Sequence, residues 1–306
     1  MLLALLSILM LIALVVIFRL DSPRRRPDRL LGQRAIQVPI ASSGSTEDLE
    51  MARRLQRGIL SSALPSVPEV DIASRYAMAN EIGGDFFEFL SHHNRGLPGV
   101  SDIPGVIRYE QNHENTLGIV VGDVAGHGLS SALVMALTAG LCHEIAKKEP
   151  MPGAFFTALN TELQRYIEGS HVRYVTAVYG VIYLHSKQLV YSRAGHPGIL
   201  WYKPKTKQVQ WLEVEGAFLG MYDAEHYPEQ TVMLESGDRL FFLTDGLLEA
   251  RNAGGEQFGA MRLEEAVGQT VNLPIQAAVD AVFDAMLAFC NGSVADDCTL
   301  IGIALK

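Results

Sequence analysis

Aspartates recur in this chain where strand-like apolar runs give way to glycine or polar residues. The four segments read EIGGDFF, LGIVVGDVAGHG, LFFLTDGLLEARN and ADDCTLIGIAL, and they carry Asp85, Asp123, Asp245 and the pair Asp296 and Asp297. The runs before Asp123 and Asp245 are typical of β-strands, so a sheet would hold these carboxylates at strand ends. Oxygen ligands with few nearby His or Cys favour Mg²⁺ or Mn²⁺ over zinc. The pattern therefore predicts a β-rich domain with a metal site suited to phosphate chemistry.

The order of apolar segments predicts an α+β fold. Five strand-like segments follow one another closely, which favours antiparallel sheets: VTAVYGVIYL, QLVYSRAG, GILWY, TVMLE and RLFFLTDG. Helical patterns cover residues 130–148, 153–168 and 274–290, and the first of these is apolar along much of its length. We expect two central, mainly antiparallel sheets flanked by helices, as a four-layer α-β-β-α sandwich.

The N-terminal segment is predicted to be a membrane anchor. Residues 2–18 carry no charge and are mainly apolar, at the lower limit for a bilayer-spanning helix. A cleaved signal peptide is the competing interpretation, but there is no basic region before the run and no A-x-A-like cleavage site. Arginines follow the run, at Arg19, Arg24, Arg25, Arg26, Arg29 and Arg34. One apolar run predicts a single pass through the cell (inner) membrane. By the positive-inside rule, the arginines after the run place the remaining chain in the cytoplasm.

Four regions are predicted along the chain: an anchor at 1–19, a basic linker rich in Pro, Arg, Ser and Gly at 20–44, a regulatory or linker helix at 45–64, and a catalytic domain at 65–306. Ser45 and Thr46 can cap the helix, and its apolar positions recur at near-helical spacing: Leu49, Ala52, Leu55 and Ile59. This apolar stripe could pack on the catalytic domain. It could equally mediate self-association as a homodimer or act in a signalling switch.

Charge and cysteine content restrict the partners. The formal net charge is −9, and the arginines of residues 19–34 leave the remainder strongly acidic, so nucleic acid is not expected as a partner. The three cysteines have neither metal-type spacing nor even pairing, which fits a reducing cytosol.

Taken together, these motifs resemble one family. In order they read MARRLQRGIL, SALPSVPEVDIASRYAMANEIGGDFFEF, VVGDVAGHGLSSALVMA, YSRAGHPGILWY, FFLTDGLLEARN and ADDCTLIGIAL. They are similar to the bacterial PP2C-like serine/threonine phosphatases of the SpoIIE/RsbU type, over roughly residues 48 to 305. The resemblance implies the PP2C-like sandwich and two Mn²⁺ or Mg²⁺ ions that activate a water for phosphoester hydrolysis.

The resemblance also implies roles for individual residues. Asp123 matches the aspartate that bridges the two ions, and the carbonyl of Val124 matches a ligand of the second. Asp245 and Asp296 match carboxylates of the first ion, and Asp85 matches a direct or water-mediated ligand. Asp297 is expected in a supporting hydrogen-bond role. Asp123, Asp245 and Asp85 are thus the predicted catalytic residues.

Two features depart from the family pattern. Residues 91–117 replace an expected short hairpin, either as a regulatory loop or as a tolerated insertion. His127 in GDVAGHG is a candidate general acid, but its offset from Asp123 equally allows a role in shaping the loop. His196 in AGHPG is expected to fix a turn between strands.

The predicted function is that of a membrane-anchored phosphoserine/phosphothreonine protein phosphatase. Its expected substrate is a phosphorylated cytosolic protein, such as an anti-sigma-factor antagonist of a partner-switching pathway. The alternative is a non-catalytic, membrane-tethered signalling module that retains the phosphatase fold.

Overall fold

Two five-stranded antiparallel sheets form the centre of the domain. The computed structural model describes residues 46–60, 64–92, 115–168, 172–223 and 225–306. The first sheet has the order β1-β10-β9-β6-β7 and the second has the order β2-β3-β4-β5-β8. The strands are β1 Val70–Ala77, β2 Phe86–His92, β3 Thr116–Val124, β4 Val175–Tyr183, β5 Gln188–Ala194, β6 Ile199–Lys203, β7 Gln208–Leu212, β8 Gln230–Met233, β9 Arg239–Leu243 and β10 Cys298–Leu305.

Helices cover the outer face of each sheet. They are α1 Thr46–Leu60, α2 Leu129–Ala146, α3 Pro152–Ile167, α4 Asp245–Glu249, α5 Gly259–Gln269 and α6 Ile275–Phe289. Helices α2 and α3 lie on the second sheet, whereas α6, with α5 beside it, lies on the first. Gly302 in β10 permits the close approach of α6, because a Cβ there would lie 2.5 Å from Val279 Cγ2.

The two sheets face each other, so the central strands are buried on both sides. A Cβ on Gly180 of β4 would lie 3.2 Å from the ring of Phe242 in β9. On the opposite face of β4, Tyr179 contacts Phe155 of α3, with 4.4 Å between ring centroids. Strands in such a position read as continuous apolar runs rather than as alternating patterns. The predicted α+β sandwich of antiparallel sheets and flanking helices is confirmed.

Several predictions concern residues outside the described ranges. The anchor at 1–19 and the linker at 20–44 are among them, as are residues 93–114, most of the predicted insertion. Among the described residues, only α2 is long and apolar enough to cross a bilayer, and half of it is buried in the domain. A core helix passes the same test.

The apolar stripe predicted on α1 was partly wrong. Leu55, which the spacing placed on the packed face, is 46% exposed. Among residues 50–60 of this helix, Gln56 and Leu60 are instead the buried ones. The buried face of α1 therefore differs from the predicted apolar stripe. It includes Gln56, whose polar side chain forms buried hydrogen bonds with Gly83 of the domain.

A buried glutamate joins β2 to α2. Glu88 is 7% exposed, and one of its carboxylate oxygens lies 2.8 Å from Nε2 of His143, whose side chain is 50% exposed. The hydrogen bond to Glu88 is the largest cause that raises the pKa of His143 above its ordinary value, against opposing desolvation. The protonated imidazole is therefore bound more tightly in the folded state.

This ion pair predicts a pH-dependent stability. Because the pKa of His143 is raised in the folded state, the ion pair contributes fully to the free energy of unfolding below the unfolded pKa of about 6.5. This contribution is lost as pH rises through the folded pKa. We expect His143→Gln to reduce the free energy of unfolding more at pH 6 than at pH 9, by less than about 1 kcal/mol. Urea denaturation at both pH values measures this. His185→Gln, at an exposed histidine, is the control; equal losses at both pH values for His143→Gln would contradict the prediction.

Candidate metal centre

The predicted carboxylates meet at one end of the sandwich. In the second sheet, Asp123 is near the C-terminal end of β3, and Asp85 immediately precedes the antiparallel strand β2, in which Phe86 pairs with Gly122. In the first sheet, Asp245 follows β9, and Asp296 and Asp297 precede the antiparallel strand β10, in which Leu300 pairs with Leu243. The start of one strand and the end of its antiparallel neighbour lie at the same edge of a sheet. Both sheets therefore contribute acidic residues to the site.

Asp85 joins the two sheets. Its Oδ2 accepts hydrogen bonds from Thr244 Oγ1 at 2.8 Å and from Thr299 Oγ1 at 2.7 Å. The Thr244 hydroxyl oxygen also accepts the backbone N–H of Thr299, at 2.9 Å. Both threonines belong to the first sheet's end of the site, whereas Asp85 immediately precedes β2 of the second sheet. These hydrogen bonds hold the two strand ends together and leave Oδ1 of Asp85 as the oxygen for other partners.

Asp297 orients the loop that contains Asp85. Its Oδ1 accepts the N–H of Ala79 at 2.9 Å, and its Oδ2 accepts the N–H of Gly84 at 2.8 Å. Asp296 is exposed, and its Oδ1 accepts the N–H of Asp297 at 2.9 Å. Asp297 thus makes the supporting hydrogen bonds expected of it, and its neighbour presents a carboxylate at the open side of the site.

Gly84 packs closely against two candidate ligands. A Cβ at this position would lie 2.8 Å from Oδ1 of Asp123 and 2.8 Å from the carbonyl oxygen of Val124. Any larger residue would therefore displace these two oxygens. The carboxylate of Asp123 and the carbonyl of Val124 thus lie next to each other, beside the loop that precedes Asp85.

Burial, and then mutual repulsion, raises the pKa values of these carboxyl groups. The pKa of Asp123 is raised to about 7, first by burial and then by Asp245 and Asp296. Burial is also the largest cause of the raised pKa of Asp85, followed by the charge of Asp123. The pKa of Asp245 is raised by burial and then by Asp296. A bound cation would relieve this repulsion between carboxylates.

The residues fit hard divalent cations that keep part of their water shell. Every candidate donor is oxygen, as Mg²⁺ and Mn²⁺ prefer. Within the described part of the chain, no three His, Cys, Asp or Glu side chains are arranged closely enough to enclose an ion by themselves. Mg²⁺ commonly binds through one or two carboxylates and retains several waters, so a magnesium site does not require such a group.

The histidines near the site differ in position. His127 is exposed in the loop between β3 and α2, and its role as a general acid stays a prediction. His196 is 1% exposed, lies in the crossover from β5 to β6 and contacts Thr176. Its location between strands agrees with the expected turn.

Sequence reasoning missed three residues that support the site. Thr244 and Thr299 orient Asp85, and each stands one or two positions from an acidic residue at a strand end, which was an available signal. Gln56 is the third: its Nε2 donates to Gly83 O at 2.6 Å, and its Oε1 accepts the N–H of Gly83 at 3.0 Å. A glutamine inside an otherwise apolar helical face was the signal for this contact.

Replacing Gln56 tests how firmly α1 is attached to the site. Gln56→Leu removes both hydrogen bonds and leaves the buried peptide group of Gly83 without partners. We expect a loss of about 1–3 kcal/mol in the free energy of unfolding, measured by urea denaturation. Arg54→Ala, on the exposed face of the same helix, removes only an ion pair with Glu50 and should cost less than about 1 kcal/mol. Equal effects of the two substitutions would show that the Gln56 contact does not hold the helix.

Comparison with known proteins agrees with this geometry. The family described as Stage II sporulation protein E (SpoIIE) matches residues 113–306. Phosphoserine phosphatase RsbU of Bacillus subtilis (strain 168) is 23% identical over 273 residues, which cover 89% of this chain and 73% of RsbU. Phosphoserine phosphatase RsbP of the same organism is 27% identical over 211 residues, which cover 66% of this chain but only 45% of RsbP.

The solved structures show the same fold. The SiaA-PP2C domain of Pseudomonas aeruginosa superimposes with a TM-score of 0.67 at 19% identity, over 85% of this chain and 96% of that domain. The two antiparallel sheets with flanking helices are therefore a PP2C-like fold. Because the family match covers well over half of the sequence, the chain belongs to the SpoIIE family.

Proposed function

We propose that this protein is a metal-dependent phosphoserine/phosphothreonine protein phosphatase. The observation that carries the proposal is that acidic residues from both sheets lie at one end of the sandwich, where Asp85 is hydrogen-bonded to Thr244 and Thr299. Membership of the SpoIIE family and similarity to two proteins named phosphoserine phosphatases support it.

Asp123, Asp245, Asp296 and the carbonyl of Val124 would hold two Mn²⁺ or Mg²⁺ ions, with Asp85 as a direct or water-mediated ligand. Such ions supply water activation and charge stabilisation for in-line attack on a phosphoryl group. The protein's own contribution is to orient these oxygens. Thr244 and Thr299 hold Asp85, Asp297 holds the N–H of Gly84, and the absence of a side chain at Gly84 leaves room for the ligands.

The described cysteines support attack by water rather than by a thiolate. All three are buried, and burial raises the pKa of the Cys142 and Cys298 thiols above their ordinary values. Thiols in such surroundings stay protonated and are poor nucleophiles. The carboxylate cluster is consequently the group that would act on a phosphate ester.

The substrate that we propose is a phosphorylated cytosolic protein. The relatives RsbU and RsbP are named for action on phosphoserine, and this supports the same linkage here. An anti-sigma-factor antagonist of a partner-switching pathway is the specific substrate that we propose. The alternative is a non-catalytic binding module. The set of carboxylates argues against this role, because a protein that only binds a partner would not need them.

We further propose that α1 carries regulatory input, alone or through a homodimer. Gln56 connects this helix to Gly83, the residue next to Gly84, so a shift of the helix would move the loop that borders the candidate ligands. If Gln56→Leu left metal dependence and turnover unchanged in a folded protein, this coupling would be excluded.

The main test uses the full chain, Mn²⁺ or Mg²⁺, an aryl phosphate and a phosphoserine protein. We expect turnover that depends on the metal and falls by at least about 100-fold in Asp245→Asn, since a group that stabilises transition-state charge is lost. Asp71→Asn is the matched control, because Asp71 lies at the far end of β1 and pairs with Lys306. Full activity in Asp245→Asn would refute the metal-site assignment, and metal binding without turnover of either substrate would favour the binding-module alternative.

The proposed location is the cell (inner) membrane, with the catalytic domain in the cytoplasm. The apolar run at 2–18 and the six arginines that follow it support this proposal. We expect the full chain to remain in the membrane fraction after a high-salt wash and to be released by detergent, whereas a chain that lacks residues 1–19 should be found in the supernatant. Recovery of the full chain in the supernatant would contradict the anchor.

A further inference from the structure

His196 lies where the chain crosses from one sheet to the other. Strand β5 of the second sheet ends at Ala194, and β6 of the first sheet begins at Ile199. Gly195 adopts a positive φ of 64° and forms a bridge with Ala177 of β4. The side chain of His196 is thereby enclosed between the two sheets, with 1% of the residue exposed.

On the side of the second sheet, His196 is connected to Asp123. Its Nδ1 lies 2.8 Å from Oγ1 of Thr176. Thr176 is the residue of β4 that pairs with Asp123 of β3, and its hydroxyl lies 3.5 Å from the carbonyl oxygen of Asp123. When Nδ1 carries the ring proton, the hydroxyl accepts from Nδ1 and donates to the carbonyl oxygen of Asp123, which can only accept. The imidazole therefore contacts the strand pair that carries Asp123.

The other ring nitrogen of His196 has no hydrogen bond among the described residues, although Nε2 is buried. Burial lowers the pKa of His196 to about 3, and a backbone interaction with Leu243 at the end of β9 opposes this shift. The ring is therefore uncharged at neutral pH, and Thr176 is the partner that orients it.

We propose that His196 is a positioning residue that, through the Thr176 hydroxyl, fixes the backbone at Asp123 and thereby the affinity of the site for divalent cations. This proposal rests on the proposed function, because it assigns metal binding to the carboxylate of Asp123 and the carbonyl of Val124. The hydroxyl of Thr176 lies between the imidazole and the carbonyl oxygen of Asp123, so a shift of the ring would shift the strand end that carries these two ligands.

The main chain around His196 is itself held in place. Nη1 of Arg193 donates to the carbonyl oxygen of His196 at 3.0 Å, and Nε of Arg193 donates to Val214 O at 2.8 Å. The ring consequently acts from a fixed backbone.

Two substitutions remove the contact in different ways. Thr176→Val deletes the hydroxyl with little change of shape, and His196→Phe retains a ring without nitrogen atoms. His196→Asn is the conservative variant, because its amide can still reach the Thr176 hydroxyl. Ser192→Ala is the matched control: it removes a buried hydrogen bond, from Ser192 Oγ to Pro228 O at 2.8 Å, on the same strand β5.

The measurement is the Mn²⁺ dissociation constant of the full chain by isothermal titration calorimetry without substrate, together with Tm without metal. We expect Thr176→Val and His196→Phe to weaken Mn²⁺ binding by about 10-fold or more, which is typical when a group that orients metal ligands is lost. His196→Asn should recover part of this affinity. Ser192→Ala should lower Tm but change the dissociation constant less than about 2-fold.

Wild-type Mn²⁺ affinity in Thr176→Val would overturn the proposal, and this variant carries the test if His196→Phe fails to fold. An equal loss of affinity in Ser192→Ala would also overturn it, because the effect would then reflect stability alone. The proposed function can fail separately: a wild-type chain that binds Mn²⁺ but hydrolyses no phosphoester would refute the phosphatase and leave the role of His196 intact.

Discussion

The hydrogen bonds between Asp85 and the two threonines are the interaction on which the rest of the site depends. Asp85 immediately precedes the first residue of β2 in the second sheet, and Thr244 and Thr299 lie at the end of the first sheet. One buried carboxylate oxygen therefore connects the two halves of the sandwich. A buried carboxyl group is costly unless it is hydrogen-bonded. The two hydroxyl donors offset that cost and fix the strand ends from which Asp123, Asp245 and Asp296 extend.

Electrostatic repulsion between the acidic residues, together with their burial, favours the binding of a cation at this site. The acidic residues raise one another's pKa values in a partly buried setting, which destabilises the site without a cation. The protein keeps them together through backbone donors to Asp297, the Gln56 contact with Gly83 and the crossover at His196. Much of the surrounding structure therefore counteracts a repulsion that the proposed cations would remove.

The predictions from sequence succeeded where short segments carry their own information. The apolar runs before Asp123 and Asp245 became β3 and β9, and the helical pattern at 274–290 became α6. The supporting residues were harder to predict. Two of these contacts, Gln56 with Gly83 and Thr244 with Asp85, join residues that are far apart in the chain. Neither residue spacing nor secondary-structure propensity predicts such contacts. Leu55 was misplaced for the same reason: hydrogen bonds of Gln56 outweighed the apolar stripe in orienting α1.

The sequence by itself determined the longer helices, many of the strands, the family and the acidic residues at the strand ends, because periodicity and short motifs are local properties. Strand β7 and helices α4 and α5 were not predicted. Only the tertiary structure decided which partners those acidic residues have. It assigned Asp297 to backbone N–H groups, left Asp296 exposed, and placed His196 between the two sheets. These roles depend on distances across the gap between sheets, and such distances are set by packing rather than by neighbouring residues along the chain.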